Sequence, residues 1–578
     1  MESQPTVAYF SMEIGLDPAV PTYSGGLGVL AGDSLRAAAD LKLRMIAVTL
    51  VHRRGYFYQR LDAQGNQTEE PVDWALDDYL KPLEPRVTVT LEGRQVQIAA
   101  WQFDVVGVAG FNVPVVLLDT DLPENTEGDR SITHHLYGGD ARYRLRQEAV
   151  LGIGGVRMLR ALSLGELERY HMNEGHAALL VLELLKEESS ARQVGPAEQP
   201  VVDAVRRRCV FTTHTPVEAG HDKFPIDLAR DVLEPELIQI LTSTEGQDAL
   251  CCDNLLNMTF LGFSLSHYIN GVAKRHGEVS RQMFGHYPID AITNGVHSAT
   301  WTAPSIAALF DKRIPGWRED TASLRYAMSI ERDALWNAHS AAKRRLIEEV
   351  NRDTNAGFDL DVFTIGFARR ATAYKRPDLI LMDVDRLKRI SREVGTLQLV
   401  YAGKAHPNDG QGKQIIRAIV GACRALRPEI RAVYLPNYDM ERCRLMVAGV
   451  DLWLNTPQPP MEASGTSGMK AAVNGVPSLS ILDGWWLEGC IEGVTGWAIG
   501  ADPVTRNPDG SASVPPSDEA RRRDADSLYR KLEDVILPLF YRDRIGYAGV
   551  MRHAIAINGS FFNTRRMMQN YVTKAYFE

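Results

Sequence analysis

Lys470 stands in the stretch EASGTSGMKAAVNG (462–475), behind Ser464, Gly465, Thr466, Ser467 and Gly468. Ser, Gly and Thr favour a turn with open backbone N–H groups, and Met469, Lys470, Ala471 and Ala472 then favour helix. A helix start of that kind is a ready site for an anion. The lysine is either a plain counter-charge or an amine that carries something covalently.

A second cationic loop, FARRATAYKR (367–376), follows the apolar run VFTIG and holds Arg369, Arg370, Lys375 and Arg376 together. Guanidinium forks suit phosphate oxygens and lysine adds a point charge. The plain alternative is a solvated basic turn. In YSGGLGVLAGD (23–33), Gly25, Gly26, Gly28 and Gly32 would let backbone amides approach a phosphate or sugar, or would simply make a tight turn. They are not a dinucleotide fingerprint, because after GxG the next glycine comes one residue late.

The other candidates are single polar residues. His214 ends VFTTHTP (210–216), where a structural histidine is the plain reading. Glu174 and His176 precede a helix in HMNEGHAALL (171–180), at a spacing that matches no zinc helix, and capping accounts for Asn173 and Glu174. Asn294 sits in ITNGVH (292–297), a turn signal whose amide could instead bind a sugar hydroxyl. Glu13, on a strand that should be buried, needs a partner, and an arginine is the simplest one. Tyr438 in LPNYDM (435–440) could bond a phosphate or anchor its loop. Trp485 and Trp486 could form a sugar platform, though paired tryptophans are more often core. No metal site is read.

These loops need elements to hold them. TVAYFSMEI, RMIAVTLVH, VPVVLLDTD and RCVFTTHTP read as strands in the first half, with helices at SLRAAADLKL and HAALLVLELLKEE. VFTIGFA, LQLVYAG, RAVYLPN, VDLWLNT and VPSLSIL are buried-strand candidates in the second, separated by helices such as GKQIIRAIVGACRAL and MERCRLMVAG. Such alternation predicts α/β architecture with parallel sheets and covering helices. A boundary is expected around 300–335, where Pro304, Pro315 and Gly316 interrupt the pattern. A polar, Pro-rich linker is expected at 504–520 and a terminal helix at TRRMMQNYVTKAYF. Nearly every unusual loop follows a strand, where ligands of doubly wound sheets bind.

With 578 residues the chain is too long for one core, so two or more domains are expected. A net charge of −9 argues against nucleic-acid or membrane-surface partners. Six cysteines without CxxC spacing, no signal-peptide pattern and no membrane-length apolar run predict a cytoplasmic protein.

The motifs EASGTSGMK, RRATAYKRP, TNGV, SGGLG, TTHT and FSMEIG occur in the order and spacing of one family. The chain resembles the α-glucan (glycogen, starch or maltodextrin) phosphorylases, which use pyridoxal phosphate, from about Val7 to the end. The resemblance implies a GT-B fold, two Rossmann-like doubly wound domains facing a central cleft. The expected divisions are 1–305 on the glucan and phosphate side, 306–550 on the cofactor side, and a helical 551–578 returning to the N-terminal domain. Lys470 matches the lysine that forms a Schiff base with pyridoxal 5′-phosphate. Arg369, Tyr438 and the turn Gly465, Thr466, Ser467 and Gly468 match the surroundings of the cofactor's phosphate. Arg370, Lys375 and the backbone of Gly26 match the site of inorganic phosphate.

His214 and Asn294 match positions holding the terminal glucose, and the resemblance implies that the His214 carbonyl faces the developing positive charge. Glu462, Ser464 and Gly465 match binders of the 3- and 4-hydroxyls, and Glu174 and His176 match loop residues near the pocket. The implied reaction releases α-glucose 1-phosphate with retention and needs no pair of catalytic carboxylates. Homodimers are common in the family.

The chain departs from the familiar pattern at GTSGMK, where GTGNMK is usual, and at THT, where NHT is usual. It is shorter than the animal and plant enzymes, so a short bacterial-type branch without their N-terminal regulatory extension and its allosteric control is expected. The competing readings are a nucleotide-sugar glycosyltransferase of the same fold, which would not need Lys470 as an imine, and a glucan-binding relative without turnover.

Overall fold

The computed structural model describes residues 6–165, 167–217, 220–243, 250–251, 254–500 and 518–577. Two large sheets dominate. The first has nine strands in the order Ile289–Ala291, Tyr268–Gly271, Cys209–Thr212, Arg169–Asn173, Val7–Ser11, Met45–Leu50, Asn112–Asp119, Arg94–Val106, Lys81–Leu91. The second has six, all parallel, in the order Arg431–Leu435, Leu397–Ala402, Phe363–Ala368, Leu452–Asn455, Ser478–Ile481, Gly496–Ile499. Numbered along its own half, the second sheet runs 3-2-1-4-5-6, the doubly wound dinucleotide-fold order. The parallel part of the first sheet follows the same order with one strand added beyond the sixth. This is the GT-B arrangement of two Rossmann-like units.

The apolar runs read as strands all form them, because a strand covered on both faces must be apolar throughout. Val7–Ser11, Met45–Leu50 and Phe363–Ala368 are buried at every position. Each fully buried large side chain stabilises the fold by roughly 1.5–3 kcal/mol. The helices expected at 34–43 and 176–188 overlap Gly26–Asp40 and Leu180–Arg192, the first ending three residues earlier than expected and the second starting four residues later.

The expectation of parallel strands alone is corrected at one edge. Lys81–Leu91 and Arg94–Val106 pair antiparallel with each other, and the second pairs antiparallel with Asn112–Asp119. Glu92 and Gly93 turn the hairpin at φ 53° and 74°. Such a ribbon buries one face only, so it reads as polar–apolar alternation rather than an apolar run. The 23-residue helix Arg332–Thr354 was also not foreseen. Asp451 fixes it beneath the second sheet, accepting from Lys343 Nζ at 2.6 Å and His339 Nε2 at 3.0 Å.

The C-terminal helix returns to the first half as expected. Met567, Met568, Tyr571, Ala575 and Tyr576 share a core with Val7 and Tyr9. The Tyr576 hydroxyl lies 2.7 Å from His171 Nδ1, and Tyr571 accepts from Asn270 at 3.1 Å. The predicted linker lies outside the described residues up to 517, and helix Asp518–Arg530 follows. No helix among the described residues is long and apolar enough to cross a membrane.

Candidate active site

In a doubly wound sheet the crevice opens where consecutive connections leave in opposite directions, beyond the carboxyl ends of the two central strands. In the second sheet those strands are Phe363–Ala368 and Leu452–Asn455. Arg369 follows the first, and Glu462 lies in the loop after the second. The Glu462 carboxylate takes a fork from Arg369, Nη1 to Oε2 at 2.7 Å and Nη2 to Oε1 at 2.8 Å, and Lys375 Nζ at 2.7 Å. Arg369 also donates to Asn455 Oδ1. Burial opposes the charged carboxylate, yet Arg369 and Lys375 outweigh it and hold the Glu462 carboxyl down at about 2. Arg376 is not part of this set: it donates to the carbonyls of Thr456 and Pro457 and pairs with Asp524. Arg370 is exposed, and its charge is felt by Tyr56 and His406.

Helix Thr466–Val473 opens from Gly465, which sits in the left-handed region at φ 91°, and no side chain caps it. Glycine takes that conformation without the strain a Cβ would bring. Ser464 Oγ is buried without a hydrogen-bond partner. Ser467 Oγ accepts from Trp453 Nε1 at 3.2 Å. Lys470 is 5 % exposed, and its Nζ sits 3.8 Å from the centroid of the Trp301 ring. Trp301 in turn donates to Asp33 Oδ2 at 2.7 Å. Tyr438 is half-buried near Arg369, and burial pushes its phenol up.

In the first sheet the central strands are Val7–Ser11 and Arg169–Asn173, joined above by Asn173 Nδ2 donating to Ser11 Oγ at 3.0 Å. Glu174 follows the second strand at φ 76°, and its Oε2 accepts from His214 N at 2.7 Å and Thr215 Oγ1 at 2.9 Å. His214 Nε2 lies 2.7 Å from Asn173 Oδ1 and donates to it, which leaves Nδ1 as an acceptor. Burial lowers the His214 pKa to about 4, so the ring is neutral. His176 turns to Asp222, at 3.3 Å. Asn294 is 2 % exposed and its Oδ1 has no hydrogen-bond partner.

Three local readings are corrected. Glu13 accepts from Ser24 N at 2.6 Å, Gly25 N at 3.2 Å and the Tyr137 hydroxyl at 3.0 Å, where an arginine was expected. Its hold on these amides sets the start of helix Gly26–Asp40, whose first residue Gly26 is exposed. Glu174 does not cap a helix; it gathers the 213–215 loop. Gly295 makes no turn, and is glycine because the Asn563 backbone packs against it where a side chain would stand. Trp485 and Trp486 are 1 % and 0 % exposed, the core role that is the commoner expectation for such a pair.

The predicted residues therefore form two groups. Arg369, Lys375 and Glu462 are in direct contact beside the Ser464–Lys470 segment. His214 and Glu174 are in direct contact across the sheet. Among the described residues no hydrogen bond joins one group to the other. Sequence reasoning missed Trp301, Asn455 and Asp483, and read Asn173 as a cap. Asp483 accepts from the amides of Glu462 and Gly484, both at 2.9 Å, and burial with the Glu462 charge raises its carboxyl to about 7. Its available signal was an acid directly after the apolar run SLSIL.

Residues 157–492 match the family model described as carbohydrate phosphorylase. The chain is 37% identical to a maltodextrin phosphorylase of Thermococcus litoralis and 38% identical to a glycogen phosphorylase of Mycobacterium tuberculosis, over 99% of this chain and 70% of each relative. It is 35% identical to a glycogen phosphorylase of Aquifex aeolicus, over 99% of this chain and 86% of that one.

Proposed function

The chain belongs to the carbohydrate phosphorylase family, and we propose that it is a cytoplasmic enzyme cleaving α-glucans with inorganic phosphate. It removes terminal α-1,4-linked glucose from glycogen, starch or maltodextrin as α-D-glucose 1-phosphate, with retention. The observation that carries this reading is the buried cation pair on Glu462, one helix start away from the buried amine of Lys470.

Pyridoxal 5′-phosphate fits the residues present. The Lys470 amine has an aromatic floor and the helix start ahead of it is uncapped. Lys470 would hold the aldehyde. Arg369, Tyr438 and the amides of Gly465, Thr466, Ser467 and Gly468 would hold the phosphate group. When bound, the cofactor supplies a phosphoryl group that exchanges a proton with the substrate phosphate.

Arg370, Lys375 and the Gly26 backbone bind inorganic phosphate. Two unit charges 4 Å apart repel by about 4 kcal/mol at an effective dielectric of 20, so neighbouring phosphates need this cation cluster. Glu462 neutralises Arg369 and Lys375; with phosphate bound, its carboxylate turns to the 3-hydroxyl of the sugar. Ser464 and Gly465 bind the neighbouring hydroxyl. Asn294 Oδ1 and His214 Nδ1 accept from the terminal glucose, with Glu174 and His176 shaping the pocket wall. A neutral His214 adds no positive charge beside a sugar that becomes cationic as its bond breaks, and its carbonyl favours that charge.

The test is sugar-phosphate release from maltodextrins of graded length with inorganic phosphate, alongside the visible absorbance of the purified protein. Lys470→Ala should abolish both. Glucan synthesis from a nucleotide sugar by protein without that absorbance would support the glycosyltransferase reading instead.

A further inference from the structure

The hairpin of strands Tyr58–Leu61 and Gln67–Glu70 belongs to the first half of the chain but lies on the second. Gln59, Leu61, Gln67 and Glu69 share its inner face, while Tyr58, Arg60, Thr68 and Glu70 are exposed. Leu61 packs against Ala371, Ala405 and Ile416. Gln59 is 0 % exposed, and its side-chain amide bonds both across to the second half and to its hairpin neighbour. Its Nε2 donates to Gly403 O at 2.9 Å and Gln67 Oε1 at 2.8 Å; its Oε1 accepts from Asn437 N at 2.8 Å; its own N donates to Asn437 Oδ1 at 3.1 Å. Gln67 completes the seam, accepting from Ala405 N at 3.0 Å and donating to Ala405 O at 2.9 Å.

Both loops gripped this way support anion-facing residues. The 402–405 loop carries the 369–371 loop: Arg369 N donates to Ala402 O at 3.2 Å and Ala371 N to Lys404 O at 3.0 Å. Gly403 has no side chain because Arg369 O lies where one would stand. The other loop turns at Asn437, φ 51°, and Tyr438 comes next. We propose that Gln59 is a positioning residue, a cross-domain clamp that sets the 369–371 and 437–438 loops against each other and against the first half. It thereby tunes how phosphate is held. The inference rests on the phosphorolytic reading above.

Steady-state phosphorolysis of maltodextrin at varied phosphate and varied glucan, with cofactor content and melting temperature, tests it. Gln59→Leu should lower kcat/KM for phosphate roughly 10- to 100-fold, the scale of a small misplacement of reacting groups. KM for glucan should stay within about twofold and cofactor content should be unchanged. Asn437→Gly keeps the left-handed backbone and removes the side chain that carries the Oδ1 acceptor while leaving the Asn437 N donor, so it should move phosphate kinetics the same way by less, and it carries the test should Gln59→Leu not fold. Lys413→Ala, which breaks the partly exposed ion pair that Glu69 makes at the edge of the seam, should leave phosphate kinetics unchanged. A wild type that releases no sugar phosphate sinks the functional reading and the clamp with it. An active wild type whose Gln59 and Asn437 variants keep kcat/KM for phosphate within twofold, melting lower or not, sinks the clamp alone.

Discussion

Glu462→Gln separates two things the carboxylate does. It removes a charge that is 5 % exposed and bonded to Arg369 and Lys375 at 2.7–2.8 Å. A fall in pKa from 4.5 to about 2 means that the folded state favours the anion by about 3 kcal/mol, at about 1.36 kcal/mol per pH unit. That agrees with the roughly 3–5 kcal/mol lost when one partner of a buried pair is removed. Asp483, raised to about 7 by burial and by the Glu462 charge, ionises more readily in the variant and limits the loss.

The folded pKa lies below the unfolded one, so this stabilisation is fully present above about pH 4.5 and fades as pH falls toward 2. At pH 7 without phosphate the variant should melt roughly 6–12 °C lower, if the second half unfolds as one unit of some 250 residues. The gap between wild type and variant should close on acidification. Inorganic phosphate should then raise the variant's melting temperature more than the wild type's, because it neutralises cations that no carboxylate now shields. Saturation at 100 times Kd is worth about 2.7 kcal/mol. Phosphorolysis should fall nonetheless, by roughly 10- to 100-fold, if the sugar loses the carboxylate partner proposed for it, a hydrogen bond to a charged group being worth about 1.5–3 kcal/mol. Differential scanning calorimetry with and without phosphate reads the first two effects. A variant that melts with the wild type in phosphate-free buffer, or gains less from phosphate, would refute the reasoning that Glu462 is the cluster's resident counter-ion.

Asn294→Ala should cost under about 1 kcal/mol in denaturant titration, because its buried Oδ1 has no partner to lose, yet lower kcat/KM for glucan by at least about tenfold. Lys375→Ala should raise KM for phosphate roughly 100-fold in steady-state assays while the cofactor absorbance stays, since Arg369 still neutralises Glu462. An emptied cofactor site would mean that the two phosphate positions are exchanged. Trp301→Phe keeps an aromatic floor under Lys470 but withdraws the N–H from Asp33, so a stability loss of about 1–3 kcal/mol with retained absorbance is expected from thermal melts and spectra.

The strands and the loops after them were legible because both are local. An apolar run bounded by polar turns must be buried on both faces, and in a doubly wound sheet the chemistry lies just beyond such runs. Arg369 after VFTIG and Lys470 behind a Gly- and Ser-rich turn needed no partner to be noticed. The antiparallel ribbon 81–106 was missed although its alternation was present, because one-sided burial leaves no continuous apolar signal. Gly295 was misread because Asn-Gly is a turn signal by itself, and only the distant Asn563 backbone makes it a site of close approach.

Residue type and order along the chain thus determined two α/β halves, cationic loops at strand ends and an amine at a helix start. Each depends on neighbours a few residues away. Which groups meet was decided only by tertiary structure. Glu462 reaches Arg369 across 93 residues because their strands are adjacent at the switch point of the second sheet. Gln59 reaches Asn437 across 378 because a hairpin of one half is laid on the other. No periodicity encodes such pairings; strand order and the packing of two halves set them, and they fix the charge state of the site.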